Sequence, residues 1–246
     1  MKKKGIALVE RQYLFPFVLI TSLFFLWGFA HAILDVLNKH FQELLTITRT
    51  HSAMIQATMY MGYFIMAIPA GLFINRHGYR KGVVLGLLLY GIGSLLFIPG
   101  QYIASFNMFL FSLFVIGCGL TFLETAANPY VTELGARETA ASRLNFAQSF
   151  NGLGCIFAPI LTGLLLFSDE EKGASGNVAL PYAVMGVIVL LAALAFMRVR
   201  LPEIPHEEEV DSEGHRVGLW AHKLFVFGLV ALFAYEVSEI SINSFF

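Results

Sequence analysis

The chain is 246 residues long, with 57% hydrophobic residues, only 13% charged residues and a net charge of −1. Soluble globular domains usually carry about twice that share of charged residues, so this composition, with a mean hydropathy of +0.70, excludes an ordinary water-soluble fold. The sequence has no basic patch of the kind that binds nucleic acid.

Seven segments are apolar enough, over nearly the required length, to cross a membrane as helices, which takes about 20 residues each. The predicted spans are 14–38, 52–74, 83–100, 106–131, 144–167, 180–197 and 223–246. Several contain prolines (Pro69, Pro129 and Pro159), which membrane helices tolerate better than soluble helices do. The predicted fold is therefore an all-α polytopic membrane protein.

Basic residues are unevenly divided between the connections of these spans. With a cytoplasmic N-terminus, the inner segments hold Lys2, Lys3, Lys4, Arg11, Arg76, Arg80, Lys81, Arg137, Arg143, Arg198, Arg200, Arg216 and Lys223. The outer segments then hold only Lys39, Arg49 and Lys172. Because basic residues concentrate on the cytoplasmic side, we predict a cytoplasmic N-terminus. The alternative interpretation of the first span is a cleaved signal peptide ending near Ala30-His31-Ala32, but the apolar run before that site is longer than in a usual signal peptide.

A change in composition divides the chain. We predict a six-helix bundle in residues 1–200, a cytoplasmic acidic linker in 201–222 and the start of a second bundle in 223–246. The alternative for the acidic stretch is a binding site for a cationic partner. Only one helix follows the linker, and the sequence stops within an apolar run, so we expect the chain to be incomplete.

Placing an ionisable residue inside a membrane span costs free energy, so such residues are functional candidates by default. Four acids qualify, namely Asp35, Glu124, Glu236 and Glu239, and no Lys or Arg lies deep in a span to pair with them. Such a carboxyl group is suited to binding and releasing a proton. The alternative, a carboxylate solvated by headgroup water at a helix end, fits Asp35 better than Glu124.

Polar side chains recur near these acids at helical spacing. Asn128 lies four residues after Glu124, and Asn145, Gln148 and Asn151 align along one face of the fifth span. Amides donate and accept hydrogen bonds, as sugar hydroxyls require, and Trp27 offers a ring for packing against a sugar. The alternatives are that the amides join membrane helices to one another and that Trp27 packs against protein or lipid.

Other chemistries find little support in the sequence. His31 lies four residues before Asp35, but the histidines share no metal-ligand spacing, so no metal site is predicted. No nucleophile lies near a histidine base, and no phosphate-binding loop is present. Cys118 and Cys155 lie in apolar runs, which indicates buried thiols and not a disulfide or metal pair.

Several strings carry a family resemblance. They are GLFINRHGYRK in 71–81, FFLWGF and LD in the first span, LETAANPYVTELG in 123–135, RLNFAQSFNGLG from Arg143, and YEVSEISINSF in 235–245. The first resembles, in degraded form, the cytoplasmic loop motif of the major facilitator superfamily. The others are similar to the fucose permease and glucose/galactose transporter family, over about residues 24–167 and the seventh helix.

The resemblance implies proton-coupled uptake of a monosaccharide across a bacterial inner membrane, with the proton as coupling ion, although sodium is not excluded, and with no cofactor. It implies that Asp35 and Glu124 couple the proton and that Gln148 and Asn151 bind sugar. We add to the substrate-binding candidates Asn145, Asn128, His31, Trp27 and Glu239. His31 and Ala32 stand where the fucose permease has amides, so the resemblance implies a sugar class and not fucose itself.

Members of that superfamily have two six-helix halves with the substrate between them. We therefore expect transport to need the lipid bilayer, a small sugar, and either the missing C-terminal half or a second copy. The alternatives are a non-transporting membrane module or assembly partner and, least favoured, an intramembrane enzyme.

Overall fold

The apolar segments fold as helices in the computed structural model. It describes the backbone of residues 7–44, 49–103, 105–167, 179–199 and 222–245, and the side chains of 7–34, 54–103, 105–164, 179–199 and 222–238. The helices are α1 (Leu14–Leu44), α2 (Arg49–His77), α3 (Tyr79–Leu95), α4 (Phe97–Ile103), α5 (Phe106–Glu133), α6 (Ala140–Phe167), α7 (Ala179–Arg198) and α8 (Lys223–Phe245). The predicted all-α membrane fold is confirmed.

Most helices run a few residues past the predicted spans, because a helix continues into the polar flank after its apolar core ends. The third span differs in kind, since it is two helices, α3 and α4, separated at Leu96. Pro99 lies in the first turn of α4, where its ring would clash with the Leu95 carbonyl of a continuous helix and it lacks an amide to donate.

Within the described residues, five segments are long and apolar enough to cross a membrane. They are Arg11–Leu34, Met54–His77, Tyr79–Ile103, Phe106–Glu133 and Ala179–Arg198. The side chains of α6 and α8 are described only as far as residues 164 and 238, so neither helix is covered over its full length.

The chain divides into two compact units, Met1–Ile204 and Pro205–Phe246. The first holds α1 to α7, and the second holds α8. Of the predicted linker 201–222, only His222 lies within the described residues, so that boundary stays a prediction.

Two helix pairs form the frame of the first unit. α1 packs against α6, and α2 packs against α5, while α3 lies between α5 and α7. The Phe17 ring lies 5.8 Å from that of Phe146, and the Phe25 ring lies 6.2 Å from that of Phe157. The contacts therefore advance in the same direction along both chains, so α1 and α6 run parallel.

Glycines bring the backbones of each pair into contact. A Cβ built on Gly154 of α6 would overlap the Phe25 carbonyl oxygen of α1 and lie 2.8 Å from the Phe29 amide nitrogen. A Cβ on Gly117 of α5 would overlap the Met59 carbonyl oxygen of α2 in the same way. Small residues at such crossings let membrane helices approach closely and gain van der Waals contact.

A buried arginine holds together the end of the bundle where α5 stops and α6 starts. Arg143 is fully buried. Its guanidinium donates to the carbonyls of Val131 (3.1 Å), Thr132, Ala136 (3.0 Å) and Leu8 (3.2 Å), and to the Thr139 hydroxyl. It thus caps the C-terminus of α5 and fixes the chain before α1, although its sequence position had placed it among solvated loop charges.

The predicted loop motif in 71–81 is a tight turn between two helices. Residues 71–77 complete α2, and α3 begins at Tyr79. The single connecting residue, Gly78, adopts a positive φ of 85°. From the start of α3, Arg80 donates to the carbonyls of Phe196 (3.2 Å) and Met197, at the last turn of α7. The turn therefore ties the ends of α2, α3 and α7 together.

Candidate functional site

An open recess lies between α1 and α5, with about 200 Å³ of space when the solvent at its mouth is included. The residues that line it are Leu23, Phe24 and Trp27 from α1, and Leu123, Glu124, Ala127 and Asn128 from α5. The spacing of three and four residues places each set on one helix face. Three predicted site residues, Trp27, Glu124 and Asn128, therefore meet in one apolar recess.

The polar groups of the recess come from one helix. Glu124 is half-buried. One turn further on, the side-chain oxygen of Asn128 is buried and has no hydrogen-bond partner within the described residues. An unsatisfied buried acceptor costs about 1–3 kcal/mol, so a ligand that brings a hydroxyl donor to this oxygen would recover that free energy.

An aromatic cluster forms the other wall and extends across to α2. The indole Nε1 of Trp27 donates to the Tyr63 hydroxyl oxygen at 3.1 Å. That hydroxyl oxygen lies 3.5 Å from His31 Nε2, and His31 Nδ1 lies 3.1 Å from the Trp27 carbonyl oxygen. The His31 and Trp27 rings pack edge to face with centroids 5.9 Å apart. His31 is therefore joined to the recess through Trp27 and Tyr63.

Sequence reasoning missed Tyr63, which links this cluster to the α2–α5 pair. Its signal in the sequence is weak, since a tyrosine hydroxyl in an apolar span indicates only that some partner exists. The partner lies 36 positions earlier in the chain, on another helix.

The amide face of α6 lies outside the recess. Asn145 and Gln148 are exposed, while Asn151 is half-buried where Gly28 of α1 crosses α6. Within the described residues no hydrogen bond from the Asn145 or Gln148 side chain joins two helices, in contrast to the alternative that these amides hold helices together. Their exposure leaves them open to contact from outside the bundle.

Two predicted site residues cannot be placed. The side chains of Asp35 and Glu239 lie outside the described residues, although their backbones belong to α1 and α8. Glu236 is exposed on α8, in the second unit. Among the residues with described side chains, no group of three His, Cys, Asp or Glu is arranged to hold a metal ion.

The sequence of the chain is similar to those of known transporters. The family model described as Major Facilitator Superfamily matches residues 17–245. The glucose/galactose transporter of Brucella abortus biovar 1 (strain 9-941) is 36% identical over 240 residues, covering 96% of this chain and 58% of the relative. The L-fucose-proton symporter of Escherichia coli (strain K12) is 38% identical over 223 residues, covering 83% and 51%.

A solved structure agrees with these sequence matches. The crystal structure of the Escherichia coli fucose:proton symporter superimposes with a TM-score of 0.66 at 37% identity, over 78% of this chain and 50% of that one. The chain spans about half the length of the curated relatives it matches.

Proposed function

This chain belongs to the Major Facilitator Superfamily, and from that premise we propose that its recess is half of a site for proton-coupled monosaccharide uptake. The observation that carries the proposal is the recess itself, where Glu124 and the unsatisfied oxygen of Asn128 face the indole of Trp27. The family and the named relatives are transporters and not enzymes, which confirms the non-enzymatic interpretation of the sequence.

The sugar class follows from the names of the relatives and from the chemistry of the walls. The relatives are named for glucose and galactose or for L-fucose. A monosaccharide of this kind presents a ring of C–H groups that packs against Trp27 and hydroxyls that bind amides. Asn128 offers an acceptor inside the recess, and Asn145, Gln148 and Asn151 offer both donors and acceptors beside it, with Glu239 a further candidate on α8.

We assign proton coupling to Glu124 together with Asp35. A bare carboxylate in the closed recess costs desolvation free energy, and protonation removes that cost. Only the carrier with proton and sugar both bound therefore changes conformation readily. The proton is the only coupling ion proposed, and no cofactor takes part.

Alternating access needs a second helical bundle to move against this one. The curated relatives are about twice as long as the matched region, which supports a transport unit with six further spans. These are provided by a longer chain or by a second copy, in a bacterial inner membrane.

Sugar-dependent thermal stabilisation of the purified 246-residue chain tests the proposal. We expect D-glucose, D-galactose or L-fucose to raise the midpoint of unfolding in detergent above that in an equal concentration of sucrose, which controls for general osmolyte stabilisation. Trp27→Phe should remove the gain, whereas Trp220→Phe, in the linker, should retain it. The alternative of a non-transporting membrane module predicts no gain with any of the three sugars.

A further inference from the structure

Each ring nitrogen of His31 lies within hydrogen-bond distance of a partner. A carbonyl oxygen only accepts hydrogen bonds, so the 3.1 Å contact with the Trp27 carbonyl places the hydrogen of the neutral ring on Nδ1. Nε2 of the neutral ring is then an acceptor, and it faces the Tyr63 hydroxyl at 3.5 Å. This side chain can take up a proton at Nε2 without breaking the bond at Nδ1.

The Tyr63 hydroxyl has a defined direction in this state. Its oxygen already accepts the indole hydrogen of Trp27 at 3.1 Å. With His31 neutral, the hydroxyl hydrogen is directed at the acceptor Nε2. The order of donation is therefore from Trp27 to Tyr63 to His31, across α1 and α2.

Protonation reverses the second bond. A charged imidazole carries hydrogens on both nitrogens, so Nε2–H would donate to the Tyr63 oxygen. The Tyr63 hydroxyl hydrogen must then turn to another acceptor, and Trp27, which donates to the same oxygen, lines the recess. One proton is gained at Nε2, and no covalent bond of the protein changes other than the new N–H.

We propose that His31 is a proton-binding site of this chain, additional to the carboxylates, and that the Tyr63 hydroxyl transmits its protonation state to the recess. Proton binding by His31 does not depend on the proposed function. Only its effect on sugar binding rests on that function.

The groups facing His31 come from each neighbouring helix. On α1 Trp27 contacts it, and the side chain of Asp35, one turn further on, lies outside the described residues. On α2 Tyr63 contacts it and Tyr60 packs against Tyr63, and the acid on α5 is Glu124 of the recess. At the neighbouring crossing of α6 lie Asn151 and Cys155, whose thiol donates to the Gly28 carbonyl.

The fluorescence of Trp27 tests proton binding directly. The chain has two tryptophans, so Trp220→Phe leaves Trp27 as the only one, and an imidazolium packed against an indole quenches its emission. In the Trp220→Phe chain we expect emission to fall in a single one-proton step between about pH 8 and pH 5. The step should be lost when His31→Gln is added and retained with His77→Gln, which changes an exposed histidine.

Two further variants, at His31 and at Tyr63, complete the test. If His31→Gln lowers the helical circular dichroism, His31→Asn replaces it. Tyr63→Phe should retain the pH-dependent step but remove the pH dependence of sugar-induced stabilisation. An absent step in the Trp220→Phe chain, or an unchanged step without His31, would overturn the proposal. A retained step with no sugar effect at any pH would instead count against the proposed function alone.

Discussion

Arg143 shows how a single side chain sets the geometry of one end of the bundle. Its buried guanidinium is held by main-chain carbonyls of α5, of the α5–α6 connection and of the segment before α1. Hydrogen bonds from a charged donor are stronger than those between neutral groups. The carbonyls at the end of α5 also carry the negative end of the helix dipole, which favours a cation there. The side chain therefore fixes the relative positions of α1, α5 and α6 below the recess.

Replacing this side chain tests its structural role. Arg143→Met removes five donated hydrogen bonds and leaves buried carbonyls unsatisfied, so we expect a loss of about 2 kcal/mol or more of stability. The measurement is the midpoint of thermal unfolding in detergent. The matched control is Arg137→Met, since Arg137 is exposed in the same connection, and it should change stability by about 0.5 kcal/mol at most. Equal effects of the two substitutions would contradict the capping role.

For single residues, the sequence identifies as site candidates those whose side chains are unusual for their surroundings. Glu124, Asn128 and Trp27 stand out as polar or aromatic positions in an apolar run, and they do share a recess. Tyr63 and Arg143 did not stand out in this way, because their roles depend on partners from distant parts of the chain. Only the fold brings those partners together, so residue type and local spacing alone could not reveal them.

Among the elements, the crossing of α1 and α6 depends on the absence of a side chain. Gly154 lies against the backbone of α1 between Phe25 and Phe29, directly below the turn that carries Trp27 and His31. Backbone atoms cannot move aside as the end of a flexible side chain can. An added methyl group must therefore separate the two helices.

Two glycines on one helix provide a matched comparison. Gly154→Ala should destabilise the bundle by about 1–3 kcal/mol through overpacking and weaken sugar-induced stabilisation. Gly152→Ala, two residues away, meets nothing within 4 Å and should be neutral or stabilising by up to about 1 kcal/mol, because alanine favours a helix. Thermal unfolding of both variants gives the comparison, and a fully stable Gly154→Ala chain would show that the crossing is not tightly packed.

Hydropathy predicts where the helices of this chain lie better than how they end or break. The predicted third span was one helix, and Pro99 divides it into α3 and α4. α4 still packs against α7, with the rings of Phe97 and Tyr182 stacked 3.6 Å apart, and the Gln101 side chain accepts from the Ala179 amide at the start of α7. A proline in an apolar run indicates a possible break, but whether the second piece stays in the bundle depends on these contacts.

For the whole molecule, the distribution of basic residues predicts one orientation in the membrane. The inner segments hold 13 basic residues and the outer segments hold 3 when the N-terminus is cytoplasmic, and such a bias sets orientation through the positive-inside rule. A fluorescent reporter inserted in the 201–222 linker should therefore fold in the cytoplasm. Alkaline phosphatase inserted in 168–178 should be active outside. Activity of the two reporters on the opposite sides would reverse the assignment.

The described part of the first unit presents a recess between α1 and α5 and an exposed pair of amides on α6. The chain spans about half the length of each relative, and α8 belongs to a separate unit. A sequence resemblance predicts the family well, since the family model matches residues 17–245. It does not by itself place the acid that couples the proton.

The most direct test is to compare sugar exchange with sugar accumulation in the same proteoliposomes. The carrier is this chain joined within α8 to the C-terminal spans of the Escherichia coli L-fucose-proton symporter. The matched control is Glu138→Gln, because Glu138 is exposed in the α5–α6 connection. Without substitution, and with Glu138→Gln, the carrier should exchange labelled sugar and accumulate it against an imposed proton gradient. Glu124→Gln should still exchange sugar but lose accumulation, because an amide cannot bind and release the coupling proton. Accumulation by the Glu124→Gln carrier at the level of the unsubstituted one would contradict the account.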